Sequence, residues 1–121
     1  MKRFRMLTLI AALAGTLVVA SASNARPAVT KLAGTVGPGF TITLKKNGKA
    51  FKTLDDGLYS ITVTDKSNIH NFHLRGPGVN KEITSIGFVG TKTVVLKLGR
   101  GTYKFVCDPH ASIMKGSFTI K

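Results

Sequence analysis

The sequence predicts an all-β fold, a sandwich or barrel, on three observations. Past residue 25, no apolar pattern of period 3.6 runs long enough to make a helix. Short runs rich in Val, Ile, Thr, Phe and Tyr alternate apolar and polar residues instead. Glycine-bearing turns break these runs about every ten residues, a spacing typical of sandwiches and barrels.

In chain order, the first segment reads as an export signal. Lys2, Arg3 and Arg5 give a basic start, and residues 6–20 are apolar except for Thr8, Gly15 and Thr16. Small residues follow, so residues 1–25 form the predicted signal peptide, with cleavage after Ala25 and Ala22 as the rival site. The apolar run is short for a bilayer span, which takes about 20 residues. No cysteine stands nearby to carry a lipid anchor. Residues 26–121 then make one small domain with a single core.

Within that domain the clearest alternation lies at residues 40–44, 59–64 and 93–98. Residues 103–107 place Tyr103, Phe105 and Cys107 on one face, and residues 117–120 close the chain. Weaker strands are expected near 31–36, 71–74 and 82–86. Asn47-Gly48 suits a tight hairpin turn, because both residues tolerate positive φ. Gly37-Pro38-Gly39, Gly76-Pro77-Gly78 and Gly99-Arg100-Gly101 mark further turns. Gly57-Leu58-Tyr59 and Gly101-Thr102-Tyr103 begin two strands alike. Phe40, after the first of these loops, is expected in the core.

The chain has 18 Lys and Arg against five acids. Three of the cations lie in the signal, so the remaining domain carries a formal +10. Such a charge draws acidic proteins, cell-wall polymers, lipid head groups and nucleic acid. The lysines are scattered, and the densest run, Lys45 to Lys52, reads as a solvated hairpin. Export and the scarcity of exposed-looking aromatics exclude nucleic acid as a partner.

Cys107 is the sole cysteine, so no disulfide forms within the chain. A lone thiol in an exported protein is an intermolecular partner, a reactive group or a ligand. Its neighbours favour the last: His110 follows three residues on, Met114 four after that, and His70 and His73 stand upstream. Thiolate, imidazole and thioether are a soft set, and one Cys, two His and a weak axial Met describe a blue-copper electron-transfer site. Pro109 stiffens the turn between thiolate and imidazole. His70 and His73 face opposite sides of a strand, so only one of them reaches the Cys107 site.

Tyr103-x-Phe105-x-Cys107-x-Pro109-His110, followed by Met114 and Gly116, resembles the C-terminal loop of the cupredoxins, in the plastocyanin and amicyanin branch. His70-Asn71 resembles their His-Asn pair. The four-residue step from His110 to Met114 departs from plastocyanin, whose loop is longer, and from amicyanin, whose loop is shorter. The resemblance implies a Greek-key β-sandwich of about seven or eight strands, holding one type 1 copper ion on His70, Cys107, His110 and Met114. It also implies that Asn71 ties the two ligand loops together, leaving His73 at the surface or beside the ligands. Asp108 is expected to bond nearby backbone or temper positive charge. Pro38, Pro77, Pro109 and Ile113 are expected to rim the His110 edge as the electron door. The protein so implied is no enzyme but a monomeric carrier outside the cytoplasm, in periplasm, at the cell surface or secreted. It passes single electrons between redox partner proteins, acidic ones given the charge, and inserts in no membrane once its signal is cut.

Copper storage or delivery, and a metal-free basic binding module, are the rival functions. Zinc fits Cys and His but seldom takes Met. A thiol hydrolase lacks an orienting or oxyanion motif, and a multicopper oxidase needs more histidines than the three present.

Overall fold

The computed structural model of the chain describes residues 11–21 and 26–121. The basic start of the predicted signal and its junction at 22–25 lie outside the described residues. Residues 11–21 are exposed and carry no helix or strand. No helix among the described residues is long and apolar enough to cross a membrane.

Two sheets face each other. The first holds β1 (Val29–Val36), β2 (Ile42–Lys45), β4 (Gly57–Asp65) and β7 (Gly90–Leu98), in the order β2-β1-β4-β7. The second holds β3 (Thr53–Leu54), β5 (Phe72–Gly76), β6 (Val79–Thr84), β8 (Gly101–Val106) and β9 (Lys115–Ile120), in the order β3-β9-β8-β5-β6. The chain passes repeatedly from one sheet to the other, and β1/β4 and β3/β9 run parallel, so this is the expected crossed sandwich rather than a meander. The short strand β3 went unforeseen, because two residues show no alternation. β6 ends at Thr84, earlier than expected, leaving Ile86 in an exposed loop.

Alternation sets the core. Tyr59, Ile61 and Val63 point inward from β4, and Tyr103 and Phe105 do so from β8. On the inner face of the five-stranded sheet, Phe72 and Phe105 stack with centroids 5.7 Å apart and Tyr103 stacks on Phe118 at 5.3 Å. Gly76 and Gly116 sit beneath these rings, and a Cβ on either would run into Tyr103 or Phe105. Lys46 and Lys49 exchange backbone bonds across Asn47 (φ 50°) and Gly48 (φ 73°), the tight turn read from the sequence.

The two similar strand starts share a device. The Tyr103 hydroxyl donates to the Gly99 carbonyl at 2.9 Å, and Tyr59 does the same to Asp55, each four residues back. Each bond pins the turn before its strand, in the manner of the tyrosine corner of sandwich domains.

At the other end of β4, Asp65 accepts the Ser67 N–H at 3.1 Å, and Ser67 Oγ accepts that of Ile69 at 3.4 Å. These side-chain turns end the strand and lead the chain to His70. Pro77 lies elsewhere, beside Gly101 and the Tyr103 hydroxyl, so it belongs to the tyrosine-corner end and does not rim His110.

Burial raises the hydroxyl pKa of both tyrosines above 10.0, and for Tyr59 the charges of Asp55 and Asp56 add to it. An unfolded tyrosine ionises near its ordinary value, so the stability these groups contribute is complete below about pH 10 and is lost as pH rises through the folded pKa. Tyr103→Phe is expected to cost about 1 kcal/mol at neutral pH, for the lost hydrogen bond. It should also reduce the alkaline loss of stability, both read from urea unfolding at pH 7 and pH 11.

Candidate metal centre

Three segments meet at one end of the sandwich. The loop between β1 and β2 supplies Gly39 and Phe40, the segment before β5 supplies His70 and Asn71, and the β8–β9 loop supplies Cys107, His110 and Met114. Cys107 directly follows β8 and continues its inward alternation, so its side chain is fully buried. A 3-10 turn over Asp108–His110, with proline in its first turn, then brings His110 back: its N–H donates to the Cys107 carbonyl at 3.0 Å. The Met114 N–H donates to the His110 carbonyl at 2.8 Å, and the Cys107 N–H to that of Met114 at 3.0 Å. These bonds close the loop with Met114 fully buried.

Three donor atoms converge inside it. Cys107 Sγ lies 3.5 Å from His70 Nδ1 and 3.6 Å from His110 Nδ1, and the two nitrogens are 3.1 Å apart. A point equidistant from the corners of that triangle lies about 2.0 Å from each, close to the roughly 2.0–2.3 Å of metal–imidazole and metal–thiolate bonds. His70 Nε2 donates to the Gly39 carbonyl at 2.9 Å, so in the neutral ring Nδ1 carries the lone pair. Two ring nitrogens and a sulfur this close are bridged either by a proton on the thiol or on His110 Nδ1, or by a metal ion bound between all three. The donor set therefore fits a soft first-row metal.

An outer layer of polar groups holds the segments in place. The Asn71 side chain is buried; its Oδ1 accepts the Asp108 N–H at 2.8 Å, and its Nδ2 donates to Asp108 Oδ2 (2.7 Å) and Glu82 Oε2 (3.1 Å). His73 Nδ1 meets Asp108 Oδ2 at 2.7 Å, its Nε2 meets the Asn80 amide oxygen, and Arg75 donates to Asp108 Oδ1 at 3.1 Å. Burial works to raise the Asp108 carboxyl. The bonds from Asn71 and His73 and the charges of His73 and Arg75 outweigh it, and hold the carboxyl below the ordinary 3.8. His73, Glu82 and Asp108 also cluster closely enough to bind a cation. Asn71 and Arg75 already satisfy those carboxylates, so this group is a brace between β5, β6 and the loop.

His70, Cys107 and His110 thus come together, with Met114 buried in the same loop and His73 turned to the outer face. The alternation expected through residues 70–72 fails: His70, Asn71 and Phe72 are all buried, because β5 begins only at Phe72. The β5–β6 register then shifts between Phe72 and His73, leaving Ile83 as the extra residue. Phe40 is not a core residue. It is 56% exposed, and its ring stands edge-on to His110 at 4.9 Å and to His70 at 5.5 Å. Sequence reasoning missed this role, the Gly39 carbonyl, and the part of Arg75 and Glu82. Loop contacts leave no periodicity, and only the Gly37-Pro38-Gly39 turn beside Phe40 hinted at a special backbone.

A family model described as copper binding proteins, plastocyanin/azurin family, matches residues 39–121. A search of curated protein sequences gives no match. Among solved structures, the chain is similar to rusticyanin from Thiobacillus ferrooxidans, at 24% identity over 77% of each chain with a TM-score of 0.54. It is similar to auracyanin A, a blue copper protein from Chloroflexus aurantiacus, at 13% identity over 78% of this chain and 100% of that one (TM-score 0.54). A chain of a heme-copper terminal oxidase matches at 17% identity over 77% of this chain and 64% of its own (TM-score 0.54).

Asn71→Ala removes the partner of the Asp108 N–H and of Glu82 Oε2, and one of the two bonds to Asp108 Oδ2, which keeps His73. It should destabilise the chain by about 1–3 kcal/mol, measured by urea unfolding without metal.

Proposed function

Because the chain belongs to the plastocyanin/azurin family of copper-binding proteins, we propose that it is a blue-copper electron carrier, with His70, Cys107, His110 and Met114 holding one type 1 copper ion. The observation that carries this reading is the buried triangle of Cys107 Sγ and two imidazole Nδ1 atoms, with sides of 3.1–3.6 Å. When bound, copper supplies a one-electron couple between Cu(II) and Cu(I).

The residues serve that couple in separate ways. Gly39 fixes the ring of His70, Asn71 fixes the Cys107 loop against the His70 segment, and the buried side chains of His70, Cys107 and Met114 keep water from their side of the site. Such outer bonds hold ligands in one geometry for both oxidation states, which favours fast transfer. Met114, buried in the same loop, would supply a weak thioether donor, which favours Cu(I) relative to a hard oxygen ligand. His110 is only half-buried; exposed Phe40 stands edge-on to its ring, exposed Ile113 follows it by three residues, and exposed Ile69 precedes His70. This apolar end is the proposed electron door, and redox proteins are the partners. Burial of the donors speaks against a delivery protein, which must surrender its metal. A metal-free module leaves three converging lone-pair groups unexplained. The signal-like residues 1–25 support export and cleavage, with a monomer of residues 26–121 acting outside the cytoplasm.

Cu(II) titration of residues 26–121, followed by visible absorption and EPR, tests the reading. One equivalent should produce an intense blue band with narrow copper hyperfine splitting, and Cys107→Ser should abolish both. Weak, colourless binding that survives Cys107→Ser would overturn it. Met114→Leu should keep the copper and raise the reduction potential in voltammetry; an unchanged spectrum and potential would remove Met114 from the ligand set.

A further inference from the structure

The two sheets leave a seam on one side of the sandwich. β2 ends the four-stranded sheet, so its outer edge has no strand partner among the described residues. β3 covers β9 only at Thr119 and Ile120, which leaves the β9 edge open at Gly116 and Ser117. Between the two open edges lies a slot of about 230 Å³, walled by Ile42, Leu44, Ala50, Phe51 and Phe105, with exposed Lys45 in its lining. Phe51 stands edge-on to Phe118 at 5.3 Å, which holds that wall in place. The slot runs into the densest group of cations in the domain. Lys45, Lys46, Lys49 and Lys52 are all exposed around the Asn47-Gly48 turn, and neither ion pair found among the described residues uses any of them. This hairpin stands at the end of β2 away from the metal: Ile42 pairs with Val36, next to the Gly39-Phe40 loop, and Lys45 pairs with Ala33.

We propose that this side of the molecule docks on a membrane surface bearing anionic phospholipids, with the four lysines at the headgroups and one acyl chain seated in the slot. The docking is independent of the electron-carrier reading and adds a location to it. At about 230 Å³ the slot falls short of the roughly 300–1,000 Å³ of a cofactor-sized pocket, and suits a single chain instead. Each lysine near an anionic surface adds attraction, and a basic patch together with one buried chain holds a protein where either signal alone is marginal. A cell-wall phosphate polymer would answer the lysines but leave the apolar walls of the slot uncovered. Docked by its hairpin, the domain keeps Phe40 and the His110 edge clear of the lipid and open to a partner on the same surface.

All nine strands lie within Val29–Ile120 and residues 11–21 are exposed outside them, so residues 26–121 carry the whole fold and are tested without the apolar leader. In co-sedimentation at low salt, this domain should bind phosphatidylcholine vesicles that contain phosphatidylglycerol, ignore phosphatidylcholine alone, and come off as salt rises. Lys46→Gln/Lys49→Gln should weaken binding about tenfold or more. Lys81→Gln/Lys97→Gln removes the same charge from β6 and β7, the opposite edges of the two sheets, and should stay within about twofold of the parent. All four lysines are exposed, so both variants should keep the fold. In bicelles carrying phosphatidylglycerol spin-labelled on its acyl chain, amide signals of residues 42–45, 50–51 and 116–117 should broaden first. Equal weakening by the two variants would reduce the effect to net charge and overturn the docking side. Broadening confined to Phe40, Ile69 and Ile113 would overturn it in favour of the apolar metal end. Binding to long-chain polyphosphate without binding to the vesicles would overturn it in favour of a phosphate polymer.

Discussion

The site depends on one buried amide. Asn71 receives the Asp108 N–H and returns its own hydrogens to Asp108 and Glu82. Through this side chain the segment holding His70 is fixed to the loop holding Cys107 and His110, although the two are nearly forty residues apart in the chain. A buried amide that left any of these bonds unmade would cost about 1–3 kcal/mol for each group. The interaction is therefore selective as well as stabilising: only one arrangement of the loops satisfies it. The charges of Arg75 and His73 on the far side of Asp108 keep that carboxyl in its accepting form.

The sandwich supplies what Asn71 alone cannot. Stacked rings cover the inner face of the five-stranded sheet, and Gly76 and Gly116 leave room for Tyr103 and Phe105 to lie over them. This packing brings the end of β8 and the start of β5 to the same level, where Cys107 and His70 meet. The tyrosine hydroxyls pin turns at the opposite end. The metal end is thus free to be built from loops whose side chains answer to chemistry instead of strand pairing. The belonging of the chain to a copper-binding family agrees with that division of labour.

Much of this was legible beforehand, for identifiable reasons. The strands expected at 59–64 and 93–98 lie inside longer ones, and that at 103–107 begins earlier, at Gly101, and ends at Val106, with Cys107 just beyond it. The Asn47-Gly48 turn is local backbone chemistry and needs no tertiary information. The cluster of His70, Cys107, His110 and Met114 stands out because these residue types are scarce in this chain. What misled was alternation carried too far. Alternation across residues 70–72 would turn Asn71 outward, whereas it is buried together with His70 and Phe72. Reading Phe40 as core failed likewise: an aromatic residue at a loop tip packs on the two imidazoles while keeping much of its surface exposed.

By itself the sequence determined the β class, the turn positions, the basic surface and the residue types available to a metal. Each is fixed by local conformational preference, side-chain period or simple count. Only the tertiary structure decided which groups face one another. It set the three donor atoms within a metal's span, turned His70 by a bond to the Gly39 carbonyl, and sent Pro77 to the far end. Those contacts join residues distant in the chain, and they follow from how the strands cross between two sheets, a choice that no local propensity encodes.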